Sequence, residues 1–259
     1  MIADRYDAFL FDLDGVLYRG PAPIEGAASA IEGLRRLGKR LSFMTNNSAR
    51  TPEEVAEHLR HVGVDASAEE VETSARSTGR LLRSKGTRTA FVIGERGLTD
   101  AVGGAGIGVI DGSAERADVV VVGWDRNVDY AKLRTAAILV QRGATLIASN
   151  ADPSYPAPDG LVWPGAGAIL AAVEATTGVS AEVVGKPHAP IFLAALERAG
   201  GGTPLVIGDR LETDIAGAAA LGWDSLLVLT GIATRKDAGR AAARPTYVAD
   251  DLTALLAPG

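Results

Sequence analysis

Cysteine is absent from the 259 residues, so neither a disulfide framework nor a thiolate metal site is open to this chain. Histidine is scarce. His58, His61 and His188 are the three present, too few and too scattered for a zinc cluster. His58 and His61 lie in a polar helical stretch and read as two solvated surface side chains. No apolar run approaches the roughly 18 residues of a membrane-spanning helix. Positive charge is in deficit, with 26 Lys and Arg against 32 Asp and Glu, and no basic run occurs. A net charge of −6 argues against a nucleic-acid-binding surface. The first residues carry Asp4 and Arg5 and lack the pattern of a signal peptide, so the expectation is a cytoplasmic protein. The apolar content of 47% fits one large or two modest globular domains.

What the chain does have is strands alternating with helices. Ala8–Phe11 is a short run of bulky apolar residues, as in a strand buried on both faces. A turn rich in Gly and Pro follows, then a predicted helix over 26–37 closed by Gly38. Further strands are predicted at 41–44, 89–93, 119–122, 145–148, 205–207 and 225–228, with an edge strand at Tyr247-Val248. Thr51-Pro52-Glu53-Glu54 has the form of a helix start, and helices are expected over 52–62, 129–142 and 165–177. The Gly-rich stretch 103–108 reads as a turn after a short helix. The expected class is α/β, a Rossmann-like doubly wound parallel sheet.

Four polar clusters follow strands in this pattern: Asp12-Leu13-Asp14-Gly15, Thr45-Asn46-Asn47-Ser48, Gly185-Lys186-Pro187, and Gly208-Asp209 through Thr213-Asp214. Each alone passes for turn or cap chemistry. Together they supply the parts of phosphoryl transfer, and open α/β sheets place active sites at the carboxyl ends of their strands. Two carboxylates held close need a cation or a proton between them. Asp12 suits a nucleophile that forms an aspartyl phosphate. Mg²⁺ takes oxygen ligands, for which Asp12 and Asp209 are the natural carboxylates. Thr45 offers a hydroxyl, Asn46 a backbone N–H and Lys186 a point charge to the phosphoryl oxygens. Asp14 is placed to protonate the leaving oxygen and then to activate water.

These four clusters, in this order, resemble the motifs of the haloacid dehalogenase superfamily of phosphatases. The resemblance implies that Asp12 is nucleophile and metal ligand, that Asp14 is acid/base and lends its backbone carbonyl to the metal, and that Asp209 is the remaining carboxylate ligand. Asp214 would then hold metal-bound waters or orient a neighbour. Catalysis falls to Asp12, Asp14, Thr45 and Lys186, and Asn46 and Asn47 are expected to bind substrate.

Spacing adds an inserted domain. About thirty residues separate Asp14 from Thr45, room for a turn and one helix, whereas roughly 140 separate Thr45 from Lys186. The expected division is core over 1–79 and 183–259, with an α/β cap domain over 80–182. This resembles the second-position cap of the NagD-like, or family IIA, branch. Val122-Gly123-Trp124-Asp125 and Tyr130 look like that branch's mid-cap motif. Ala148 through Asp152, with Trp163 through Gly167, resembles its substrate-facing stretch, so Asn150 and Asp152 are expected to touch substrate. The Pro-rich segment 153–164 (Pro153, Pro156, Pro158, Pro164) is expected to be an irregular loop, with Tyr155 and Trp163 either facing substrate or pinning it.

The expectation is a Mg²⁺-dependent phosphatase of small phosphorylated metabolites. The resemblance implies glycerol phosphate, sugar phosphates, nucleoside monophosphates or pyridoxal phosphate. The cap segment has few aromatic residues to stack a base, which favours a polyol or sugar phosphate. Caps of this size can pair, which leaves a homodimer open. Two other classes share the features read so far: a phosphorylatable Mg²⁺-binding switch, and a ligand-binding module that performs no chemistry.

Overall fold

The computed structural model describes residues 1–156 and 161–258. Pro158 lies outside the described residues. The chain forms two compact units: Met1–Thr45, Pro52–Glu72 and Lys186–Gly259 make the first, and Asn46–Thr51 and Thr73–Gly185 make the second.

The first unit is built on a six-stranded sheet in the order Tyr247–Ala249, Asp224–Val228, Pro204–Gly208, Ala8–Phe11, Arg40–Thr45, Val71–Thr73. The pairs from Tyr247–Ala249 through Arg40–Thr45 all run parallel. Every residue of Ala8–Phe11 is buried, because helices cover both faces. Phe9 and Phe11 pack on one face with Phe43, Leu205 and Ile207. Ala8 and Leu10, alternating to the other face, pack with Met44, Val206 and the helix residues Ile191 and Phe192. Helix Ala27–Arg36 lies where the periodicity predicts it, and Gly38 ends it with a φ of +70°. Helix Pro52–His61 follows the acidic start.

The second unit has its own parallel sheet, in the order Glu182–Val183, Thr145–Ala148, Val119–Val122, Thr89–Ile93, Gly108–Ile110. The four valines of Val119–Val122 divide by alternation. Val120 and Val122 join Phe91, Ile93, Leu146 and Leu170 on one face, and Val119 and Val121 join Ala90, Leu98 and Ile147 on the other. Helices Tyr130–Gln141 and Ala166–Thr177 fall where expected.

Three features differ from the sequence reading. The second unit takes in Asn46–Thr51, and its long segment runs Thr73–Gly185 where 80–182 is expected. Helix Ser74–Ser84, which the sequence reading did not pick out, accounts for the earlier start, since its Ala75 and Leu82 are buried against Leu98 and Val102. Within the segment expected to be a loop, Ser154–Pro156 is a strand paired antiparallel with Val162–Pro164. Proline is tolerated there because, among the described residues, this ribbon has two strands and each is an edge. His58 is half-buried rather than solvated, with Tyr18 meeting its ring edge-on at 4.6 Å.

Candidate functional site

Strand register gathers the site of the first unit. Phe11 is opposite both Ile207 and Phe43, so the residues that follow these three parallel strands emerge side by side. Asp12, Asp209 and Thr45 stand at these ends. Asp12 N–H donates to Ile207 O at 2.8 Å, extending the ladder by one residue before the chain turns. Gly15, at φ +83°, makes that turn and donates to Tyr18 O at 2.8 Å.

Asp12, Asp209 and Asp214 are buried, and one carboxylate oxygen from each lies within 4.8 Å of the others. Lys186 is buried among them. Its Nζ donates to Asp12 Oδ1 at 2.5 Å and to Asp214 Oδ1 at 2.7 Å. Asp214 Oδ2 accepts from the N–H of Arg210 at 3.3 Å and from Thr213 Oγ1 at 3.4 Å, so both of its oxygens are engaged. Asp209 Oδ2 accepts from Ile232 N–H at 2.9 Å, while its Oδ1 is buried with no hydrogen-bond partner among the described residues.

The charges are under stress. Burial, reinforced by Asp214 and Asp209, pushes the Asp12 carboxyl up to about 8 against the opposing pull of Lys186. Burial and Asp214 push Asp209 up to about 6, opposed by the Ile232 N–H. Burial disfavours the Lys186 ammonium, but Asp12 and Asp214 outweigh it and the group stays charged. Asp14 is open to solvent on one side yet crowded on the other. The crowding raises its carboxyl, and the N–H groups of Gly20 and Gly15 resist.

A divalent cation fits this donor set. The ligands on offer are hard oxygens. Asp209 Oδ1 is a buried carboxylate oxygen without a donor among the described residues. Glycine is required beside this carboxylate, since a Cβ on Gly15 or Gly231 would run into Asp209 on its Oδ2 side. A cation would also reverse the burial that drives Asp12 toward its neutral form.

In the second unit Asn46, Asn150 and Asp152 come together. Asn46 Nδ2 donates to Asp152 Oδ2 at 3.1 Å, and Asn150 Nδ2 donates to the Asn46 carbonyl at 2.7 Å. Asp152 N–H donates to Asn150 Oδ1 at 3.1 Å. Ser74 Oγ donates to the same Asn46 carbonyl at 2.7 Å, a contact sequence reasoning missed because a serine at a helix start carries no distinguishing signal. Asn47 Oδ1 accepts from Ala49 N–H at 2.9 Å, closing the turn. Asp125 is buried and bonded to Lys132 Nζ at 2.7 Å, and Tyr130 is exposed. Tyr155 stacks on Trp124 with ring centroids 4.3 Å apart, and Trp124 Nε1 donates to Pro164 O at 3.0 Å, so these rings pin the ribbon.

The sequence matches two family models, haloacid dehalogenase-like hydrolase over residues 9–108 and HAD-hydrolase-like over 183–255. It is 38% identical over 259 residues to a D-glycerol 3-phosphate phosphatase of Mycobacterium tuberculosis, covering 98% of this chain and 72% of that one. It is 39% identical over 256 residues to an acid sugar phosphatase of Staphylococcus aureus, covering 98% of each. The fold superposes on a glycerol phosphate phosphatase of M. tuberculosis in complex with magnesium at a TM-score of 0.91 and 37% identity, covering 98% of this chain and 77% of that one. It superposes on a 4-nitrophenylphosphatase of Thermotoga maritima at 0.91 and 32% identity, covering 99% of each.

Proposed function

The chain belongs to the haloacid dehalogenase-like hydrolases and is a Mg²⁺-dependent phosphoric monoester hydrolase, and from that premise we propose that it cleaves small polyol or sugar phosphates through an aspartyl phosphate on Asp12. The observation that carries the site assignment is the buried cluster of Asp12, Asp209 and Asp214 around Lys186, with one Asp209 oxygen left without a donor among the described residues. Asp12, Asp209 and the Asp14 carbonyl would hold Mg²⁺. When bound, the ion supplies positive charge between the attacking carboxylate and the phosphate dianion.

Asp12 attacks phosphorus with a carboxylate oxygen, and the bond to the ester oxygen breaks. Asp14, raised toward its protonated form, gives that oxygen its proton and releases the alcohol. It then takes a proton from the water that attacks the acyl phosphate, which returns inorganic phosphate and the Asp12 carboxylate. Thr45 and the Asn46 N–H hold phosphoryl oxygens. Lys186 adds a fixed positive charge, and Asp214 keeps its ammonium aimed at Asp12. Asp152, half-buried and hydrogen-bonded by Asn46, offers a carboxylate acceptor to the hydroxyls of a leaving alcohol, and Asn47 is assigned the same role. The few aromatic residues of the second unit and the names of two relatives, a D-glycerol 3-phosphate phosphatase and an acid sugar phosphatase, favour a hydroxylated, non-aromatic leaving group.

Phosphate release from glycerol 3-phosphate, hexose phosphates, nucleoside monophosphates and p-nitrophenyl phosphate, with Mg²⁺ and with chelator, tests the reading beside Asp12→Asn. We expect Mg²⁺-dependent turnover that the variant loses while remaining folded, with polyol or sugar phosphate leading in kcat/KM. Turnover retained by Asp12→Asn would remove the nucleophile assignment. A nucleotide preference would remove the substrate class. Two further parts of the proposal, a cytoplasmic location and pairing of two copies through the second unit, are tested by cell fractionation and sedimentation. Recovery with membranes or a monomer in solution would discard them.

A further inference from the structure

We propose that Asn150 and Ser74 are positioning residues for the phosphoryl-binding turn, and that Asn150 acts through Asn46 rather than by touching substrate; the inference rests on the phosphatase reading above. A carbonyl oxygen has two lone pairs, and the Asn46 carbonyl uses both, one for Ser74 Oγ and one for Asn150 Nδ2, each at 2.7 Å. Both donors are almost wholly buried, Ser74 at 0% and Asn150 at 4% exposure, so water does not compete for the acceptor. The other end of the Asn150 amide is engaged as well, since Oδ1 accepts from Asp152 N–H at 3.1 Å. The two ends cannot exchange: a flipped amide would set oxygen against the Asn46 carbonyl and NH₂ against the Asp152 N–H. An asparagine committed at both ends is a fixed bracket.

The bracket acts on the residue that follows Thr45. The Asn46 side chain is also held, by Asp152 Oδ2 at 3.1 Å. With its carbonyl and its side chain both anchored, residue 46 has little freedom to turn its own N–H, the group proposed to bind a phosphoryl oxygen. Gly185, the residue before Lys186, packs into the same cluster. Its N–H donates to Ser149 O at 2.9 Å, and a Cβ there would lie 2.6 Å from Asn46 Oδ1 and 2.7 Å from Ser149 O. One buried cluster in the second unit therefore sits one peptide bond from Thr45 and one peptide bond from Lys186.

The test is Asn150→Asp, which keeps the shape and sets an oxygen against the Asn46 carbonyl. Positioning predicts a loss in kcat/KM of about ten- to a hundredfold, by the same factor for p-nitrophenyl phosphate, glycerol 3-phosphate and a hexose phosphate. Inhibition by inorganic phosphate should weaken in parallel, because that ion has no leaving group for a substrate contact to read. A loss confined to one ester with phosphate inhibition intact would make Asn150 a substrate contact and overturn the proposal. Unchanged kinetics with a lowered melting temperature would overturn it too, leaving a purely structural role. Ser74→Ala removes the other donor and is read on the same panel, so the question is decided even if Asn150→Asp does not fold. Failure of the wild-type protein to release phosphate from any of the three esters would instead bring down the phosphatase reading.

Discussion

Asp12 and Asp14 lie two residues apart and meet different surroundings. Asp12 is sealed among two other carboxylates and Lys186, while Asp14 remains open to solvent. That difference suits one to nucleophilic attack and the other to exchanging protons with an alcohol and with water. Asp14→Asn should therefore lower kcat for alkyl phosphates by about 10²- to 10⁴-fold, and much less for p-nitrophenyl phosphate, whose leaving group needs little protonation. Equal losses on both esters would remove the acid role. Lys186 is paired with two buried carboxylates at once. Replacing it with methionine should destabilise the fold by about 3 kcal/mol, because breaking a buried pair leaves charge uncompensated. A denaturation midpoint unchanged in the absence of Mg²⁺ would contradict that.

At the scale of elements, the outer strands of the first sheet are tied by polar side chains. Tyr6 donates to Asp224 Oδ2 at 2.6 Å, and Thr246, just before strand Tyr247–Ala249, donates to Asp224 Oδ1 at 2.8 Å. The Tyr6 bond, followed by that from Thr246, holds the Asp224 carboxyl below its usual range. A depressed carboxylate contributes stability that is complete above its unfolded pKa of about 4 and is lost as pH falls through the lower folded value. Acidification through that window should therefore destabilise the wild type more than Asp224→Asn. Urea unfolding at successive pH values would show it, and identical acid sensitivity would refute it. The ribbon teaches a different lesson. Its prolines argued for irregular chain, but pairing of Tyr155 with Trp163 and stacking of Tyr155 on Trp124 overrode that local preference.

For the whole molecule, a cation that binds only the folded site must stabilise it. At a hundredfold excess over Kd the gain is about 2.7 kcal/mol, so Mg²⁺ should raise the melting temperature and chelator should reverse the rise. Asp209→Asn should abolish the shift. A Mg²⁺-induced rise that survives in the variant would place the ion elsewhere. Among the described residues no helix is long and apolar enough to cross a membrane.

The sequence by itself determined the class and much of the site. Apolar runs such as Ala8–Phe11 and Val119–Val122 can be buried on both faces only inside a covered parallel sheet, and the polar clusters after three of the core strands mark their carboxyl ends. The family was legible because the clusters at Asp12, Thr45, Lys186 and Asp209 stand in the order of the motifs they resemble. Tertiary structure alone decided the partners. That Lys186 bridges Asp12 and Asp214, that Ser74 and Asn150 converge on one carbonyl, and that helix Ser74–Ser84 packs in the second unit depend on residues far apart in the chain. Pattern and propensity report how a residue relates to its near neighbours. A hydrogen bond between residues 46 and 150 has no period and leaves no local trace, so only the folded chain brings it into being.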